Sequence, residues 1–343
     1  MVQNEPGMFI GPIATVFGYI IDVIFNIVYS MTVYHSLGLS IIMLTVIVRT
    51  LMLPLMVKQQ KSMMAMQKLN PEMQKIRAKY PDKKDTKSQQ QMNAEIQKLY
   101  ADNKVNPLGG CLPLIIQMPM FFGLSFIMHQ SHLYVSRLGS LYAQIAEFLI
   151  AYMPRDAYGR PAAYIHTMNE LAMPLTPDRM IQNGDINLLV IPDVTRVLNA
   201  FGIEQWSVLF ERMPAHYLPG LMYLYEQKTA IESFFGMALT ESIVIGWPGI
   251  MIPVLAVLSA VATSYITMKA SVITDEKQKA QQRMMMAIMP IMMGVMTIGL
   301  PAGVGVFWIT SSVYQIGQQL VMNKKMGIKT FPEKWSLPFT RSS

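Results

Sequence analysis

Residues 37–57 read LGLSIIMLTVIVRTLMLPLMV, and the rest of the chain is read outward from them. The stretch is long enough to cross a bilayer, which takes about 20 apolar residues. One charge, Arg49, sits inside it. An arginine at mid-bilayer depth costs roughly 2.5–3.5 kcal/mol even on the insertion scale. Such a residue faces protein or a water-filled cavity, and it marks function. Thr45 lies four residues earlier, on the same helical face. The competing reading has Arg49 snorkelling to the inner interface beside Lys58 and Lys61. That reach is long, because eight residues separate Arg49 from the end of the stretch.

Composition agrees with a membrane setting. Of 343 residues, 52% are hydrophobic and only 14% charged, against about 25% charged in an ordinary soluble domain. The expected fold is an all-α polytopic membrane protein. A single cysteine, Cys111, excludes a disulfide framework within the chain. The net charge of +7 is distributed as a topology signal, and no nucleic-acid partner is expected. P-loop, HExxH and GxSxG patterns do not occur. The histidines lack metal-site spacing, and the His129/His132 pair at the end of an apolar span reads as interfacial. No cofactor, metal or enzymatic centre is therefore expected.

The first 36 residues carry no Lys or Arg, so they lack the basic region of a secretory signal. Thr15, Gly18, Asp22, Asn26 and Ser30 draw a weak polar stripe at helical spacing. Residues 1–36 are therefore read as an amphipathic helix lying in the outer interface. After the first span (37–57), residues 58–104 hold eleven Lys/Arg and five Asp/Glu. The positive-inside rule makes 58–110 cytoplasmic. Two helices, about 58–80 and 86–103, are expected to form an antiparallel hairpin around the PDKK turn at 81–84. The hairpin is read both as a solvated topology determinant and as a surface for anionic headgroups or a nascent chain.

The second span, 111–129, is CLPLIIQMPMFFGLSFIMH. Gln117, Phe121 and Ser125 share one face at spacing four. That stripe suits a helix facing a cavity and equally suits helix–helix packing. Here a resemblance enters. The run VNPLGGCLPLIIQMPMFFGL (105–124) resembles a signature of the YidC/Oxa family of membrane protein insertases. So does IVRTLMLPL (47–55), followed by a basic hairpin. MPIMMGVMTIGLPAGVGVFWITSSVYQIGQQL (289–320) is similar to that family's last two spans. The likeness covers about 12–128 and 245–322, and two separated motifs in the right order make it specific.

Residues 130–246 hold seven Lys/Arg and eleven Asp/Glu, the opposite bias, and are placed outside. Residues 138–154, 186–202, 203–212 and 218–239 read as amphipathic helices, and 154–185 as an irregular loop. Two readings stand for this insertion: a small helical cap, lying on the membrane or not, and a docking module for another membrane protein. Three further spans follow: 247–268, 284–303 with PAG at 301–303, and 304–322. A cytoplasmic loop (269–283) and a tail (323–343) complete the chain. Five spans from an outside N-terminus give an inside C-terminus, and the charges agree.

None of the spans contains Asp or Glu. An uncompensated guanidinium in packed apolar interior is too expensive. The cheaper arrangement is a hydrated groove open to the cytoplasm, lined by Arg49, Thr45, Gln117, Ser259, Thr263, Ser311 and Gln315. The resemblance implies the same groove. It also implies that an aromatic at Phe121 and a bulky apolar residue at Met296 line a client path, while the small Ala256 departs from the pattern. The 32 methionines read either as an adaptable client surface or as core filling. The expected function is a membrane protein insertase and chaperone of the bacterial cell membrane, working without nucleotide. Its expected partners are nascent membrane proteins, lipids, the Sec translocon and the ribosome. The alternative is a small transporter or channel binding an anionic solute at Arg49. Such proteins usually show internal repeats, and none is found. An intramembrane enzyme would need a nucleophile–base set, and the spans offer only isolated Ser and Thr.

Overall fold

The computed structural model describes residues 10–80, 86–105, 112–152, 162–172, 186–243, 246–269, 284, 288 and 290–325. Those residues are mostly helical. Helix α1 (Ile10–Met31) is followed at once by α2 (Ser36–Lys68). Both are long and apolar enough to cross a membrane, by length and composition. Helix α2 does not stop at residue 57. It runs eleven residues further and turns at Leu69, where α3 (Asn70–Lys79) begins. The expected single helix over 58–80 is thus broken. Pro71 explains the break: it has no N–H for the carbonyl four residues back, and it fits the first turn of a new helix. Helix α4 (Thr86–Asp102) packs against α3. The Tyr100 hydroxyl donates to Met73 Sδ at 2.8 Å, and Lys79 pairs with Glu95 at 3.4 Å. The PDKK turn lies outside the described residues.

Helix α5 (Leu112–His129) carries Pro119 inside it. Then come the short α6 (Ser131–Tyr134), α7 (Ser136–Tyr152) and α8 (Ala162–Ala172). Helix α8 falls in the stretch expected to be irregular. Its AAYIHTMNELA sequence has good helix formers, and the Pro, Arg, Asp and Gly that suggested a loop belong to its flanks. Next are α9 (Ile191–Asn199), α10 (Ile203–Arg212) and α11 (Leu218–Glu232). The expected helix over 218–239 stops at Glu232. Strands β1 (Ser233–Phe234) and β2 (Met237–Ala238) pair antiparallel across Phe235 and Gly236. Both turn residues have positive φ, 50° and 79°, the requirement of a type I′ hairpin turn. Helix α12 (Met251–Lys269), helical residues at 290–298 and α13 (Ala302–Lys325) follow. The loop at 270–283 and the tail from 326 lie outside the described residues.

The chain divides into two compact units. The first takes in the chain up to Thr45, Met118–Val254 and Val295–Trp308. The second takes in Val46–Gln117, Leu255–Gly294 and the chain from Ile309 onward.

The core of the first unit is the insertion. Helix α7 buries Leu138, Leu141, Tyr142, Ile145 and Leu149 against α9 and α11. Trp206 of α10 is fully buried and meets Phe201 and Tyr225. Helix α1 is tied to this body at its middle: Asp22 Oδ1 accepts from Ser136 N at 2.8 Å and Ser136 Oγ at 2.9 Å. It thereby caps α7 from a distant part of the chain. The Arg137 guanidinium lies 4.2 Å from the centre of the Tyr29 ring. At its far end the insertion is stitched to the first residues of α13. Gly303 N donates to Leu239 O at 2.8 Å and Ala302 N to Glu241 O at 2.9 Å. A side chain at Gly303 would meet Met128 Sδ at 2.8 Å and Leu239 O at 3.1 Å, so only glycine fits this approach.

Candidate functional site

In the second unit, Arg49 on α2 meets one polar side chain of α5. Its side chain is half-buried, and Nη2 donates to Gln117 Oε1 at 2.9 Å. Helices α2 and α5 supply one residue each. Arg49 Nε and Gln117 Nε2 are buried with no hydrogen-bond partner among the described residues. No ion pair of Arg49 with a carboxylate occurs among those residues either. At the next position of α2, Thr50 Oγ1 donates to Val46 O at 2.7 Å and lies 3.1 Å from the Tyr314 hydroxyl. Pro54 is four residues on, so the Thr50 carbonyl has no helical N–H to accept from.

Helix α12 brings its hydroxyls to the same unit, but they are turned inward. Ser259 donates to Ala256 O at 3.0 Å, Thr263 to Ser259 O at 2.8 Å and Thr267 to Thr263 O at 2.8 Å. Such bonds to the preceding turn satisfy a hydroxyl inside lipid without a partner helix. Thr263 also reaches Ser312 O of α13, at 3.5 Å. On α13, Ser311 is buried with its Oγ unpartnered among the described residues, while Gln315 is exposed.

The remaining residues singled out from the sequence lie in the first unit. Thr45 is buried and donates to Ile41 O at 2.6 Å. Phe121 is buried with its ring stacked on Trp308, centroids 5.0 Å apart. Met296 is exposed. Two residues were not singled out: Tyr314, which adds a hydroxyl beside Thr50, and Trp308, which covers Phe121. A tyrosine between Ser311 and Gln315 in an apolar helix was the available signal for the first. Stacking partners leave no pattern in sequence, so the second had none.

Chemically, the arrangement is a donor surface. A guanidinium offers five N–H donors and accepts nothing. Gln117 Oε1 takes one of them. The unpaired donors favour an incoming carboxylate or peptide carbonyl. No group of three or more metal-binding side chains occurs among the described residues.

The first unit holds a second polar centre. Lys228 Nζ and Glu232 Oε2 are 2.7 Å apart, and both side chains are buried. The Tyr142 hydroxyl and Thr240 Oγ1 each donate to Glu232 at 3.1 Å. Burial pushes the nearby Glu241 carboxyl up to about 7, with Lys228 pulling the other way. Glu241 lines a cavity of about 180 Å³ with Ile203, Met237, Ser242 and Trp247. Of the HxxH pair, His132 is held neutral: burial lowers it to about 4.

The sequence profile of the 60Kd inner membrane protein family matches residues 28–176 and 206–329, most of the chain. The chain belongs to this family, the YidC/Oxa insertases. It is accordingly a protein of the bacterial cell membrane. Among its relatives is the membrane protein insertase YidC 1 of Lactococcus lactis, 55% identical over 87 residues. That alignment covers 25% of this chain and 32% of the relative. The insertase YidC of Alkalihalophilus pseudofirmus is 52% identical over 93 residues, 26% of this chain and 37% of the relative. The aligned parts therefore span about a third of the length of these two relatives. The YidC of Oceanobacillus iheyensis aligns more widely, at 26% identity over 292 residues, 85% of this chain and 76% of the relative. The family match skips 177–205, inside the insertion.

Proposed function

We propose that the chain is a membrane protein insertase whose working group is Arg49. The observation that carries this reading is the guanidinium itself: half-buried in an apolar helix, bonded to a neutral amide and without a carboxylate partner among the described residues. A charge in that position is tolerable only where water reaches it. The reading is therefore a hydrated groove in the second unit, lined by Arg49, Gln117, Thr263, Ser311, Gln315 and Tyr314.

Depth supports an opening toward the cytoplasm. Helix α2 starts at Ser36, and thirteen residues at 1.5 Å each put Arg49 about 20 Å further along. In a hydrocarbon core of about 30 Å it sits nearer the inner side, if Ser36 marks the outer edge. The N-out, C-in topology with five spans makes it so. It rests on the basic 58–104 and acidic 130–246 segments. Helix α1 is read as interfacial. The bond from Asp22, at its middle, to α7 of the insertion supports that placement.

The groove receives the acidic or polar tail of a nascent client and shortens the hydrocarbon path that tail must cross. The client's apolar helix then moves into lipid, driven by roughly 0.8 kcal/mol per buried CH₂. The membrane potential adds about 2.3 kcal/mol per charge per 100 mV for outward movement of acidic residues. No nucleotide is required in this scheme. Sec translocon and ribosome are the proposed partners on the two sides of the reaction.

Depletion of the protein, followed by pulse-labelling of a single-span client with an acidic outer tail, tests this. Insertion should fall and return with the wild-type chain. Unchanged insertion with loss of an anionic solute flux would instead make it a transporter.

A further inference from the structure

Four large apolar side chains stand out of the first unit where two spans begin. Met31 is 82% exposed, Tyr34 70%, Phe235 73% and Trp247 81%. Their neighbourhood is fixed by bonds. His35 N donates to Ala230 O at 3.0 Å, and His35 Nδ1 meets Ser233 O at 2.5 Å, so Tyr34 lies at the root of the β hairpin. Phe234 packs against Gly38, where any Cβ would meet its ring at 2.3 Å. Gly236, at the hairpin tip, is 3.6 Å from Pro248 when a Cβ is built on it, and it lines the same cavity as Trp247. Tyr34 stands two residues before α2 and Trp247 four before α12. Just beyond them the exposed flanks of those helices are Leu39, Met43 and Val254.

Phe235 is the telling member. A bulky side chain at positive φ is a genuine outlier. Glycine or asparagine is the usual solution in such a turn. At this position the Phe235 ring is exposed, while its neighbour Phe234 packs against Gly38.

We infer that Met31, Tyr34, Phe235 and Trp247 form a collar seated in the headgroup–acyl boundary of the outer leaflet, with lipid as its occupant. Continuity with the apolar flanks of α2 and α12 argues for lipid over a protein partner. Aromatic residues concentrate at that depth because one end of the ring system is apolar and the other tolerates water. The collar carries no Lys or Arg: none occurs in 31–48 or 229–268. It therefore needs no anionic headgroup. Its consequence is mechanical, because a collar at the start of α2 fixes the depth of Arg49. The assignment to the outer leaflet rests on the topology proposed above; the seating in lipid does not.

The test uses the full chain with Cys111→Ser, reconstituted in phosphatidylcholine vesicles. Nitroxide labels are placed at Phe235→Cys, at Met31→Cys and at Glu211→Cys, an exposed site on α10. Saturation by oxygen should exceed that by a water-soluble nickel complex at 235 and 31, and the order should reverse at 211. Adding anionic lipid should change neither. Brominated lipid should quench wild-type emission more than that of Trp247→Phe. Greater access to nickel at 235, or access to neither reagent, would overturn the collar, the latter by showing a protein cover. An impermeant reductant added to right-side-out cell membrane vesicles reports the side. If label 211 survives while 235 still reads as lipid-exposed, the collar stands and the proposed topology falls.

Discussion

At the scale of single residues, the proposed function depends on the charge state of the Arg49–Gln117 pair. Gln117 Oε1 takes one guanidinium donor and leaves the positive charge uncancelled. A charged hydrogen bond contributes about 1.5–3 kcal/mol, so losing the contact from guanidinium to client should slow insertion about tenfold or more. Arg49→Ala should show that loss for acidic-tailed clients, read as the rate of membrane integration after a pulse. Arg49→Lys, which keeps the charge, should recover most of it; equal loss would assign a bidentate contact. Gln117→Glu is sharper. It supplies the missing counter-ion, so the protein should fold and accumulate normally while acidic clients insert as poorly as with Arg49→Ala. Arg49 and Gln117 were legible in the sequence because polar groups in apolar runs announce themselves. The hydroxyls of α12 were legible as a stripe, but not in their bonding. Whether Thr263 faces a neighbour or its own helix is a rotamer choice that spacing does not encode.

At the scale of elements, the insertion balances two buried titrations of opposite sign. Glu241 is raised to about 7 by burial, among Lys228, Glu232, Tyr142 and Tyr225, with its carboxyl accepting the Ile203 N–H. The fold therefore holds its proton more tightly than the unfolded chain does, and stability falls as pH rises from about 4.5 through 7. His132, lowered to about 4 by burial and faced by Asn199 and Arg196, behaves oppositely. The unfolded chain binds the proton first, so stability falls as pH drops from about 6.5 through 4. Between these limits the slopes oppose. The thermal midpoint of Trp206 emission in detergent should be nearly flat from pH 5 to 6.5 in the wild type. It should rise with pH in Glu241→Gln and fall with pH in His132→Gln. Asp22→Ala should separately lower that midpoint, since losing a cap costs about 1 kcal/mol. The elements themselves were mostly visible from periodicity. The breaks were not: Pro71 ended a helix whose surface pattern continued. Phe235–Gly236 made a hairpin where the apolar spacing still read as helix, because a left-handed phenylalanine has no sequence signature.

At the scale of the whole molecule, charge distribution governs orientation. With Cys111 replaced, cysteines at Lys98 and at Ser242 should be modified by an impermeant maleimide from opposite sides of the cell membrane, 242 from outside. Reversal of both would invert the topology, and labelling of both from one side would remove the odd number of spans between them. Family membership was legible because two separated motifs stand in order across the chain. The insertion was legible only as acidic and helical. Its fold is set by a buried lysine–glutamate pair and a distant aspartate cap, contacts between residues up to 114 apart in sequence.

Water at a positive charge is the central requirement of the proposed mechanism. In the Cys111→Ser background, Gln117→Cys places a thiol beside an intact Arg49. Thiols react with methanethiosulfonates only as hydrated thiolates. The anionic sulfonatoethyl reagent should modify residue 117 in inverted membrane vesicles faster than the cationic trimethylammonium reagent does, and neither should act from the outer face. A thiol inert to both, yet open to a small apolar reagent, would place Arg49 in a dry interior and contradict the mechanism.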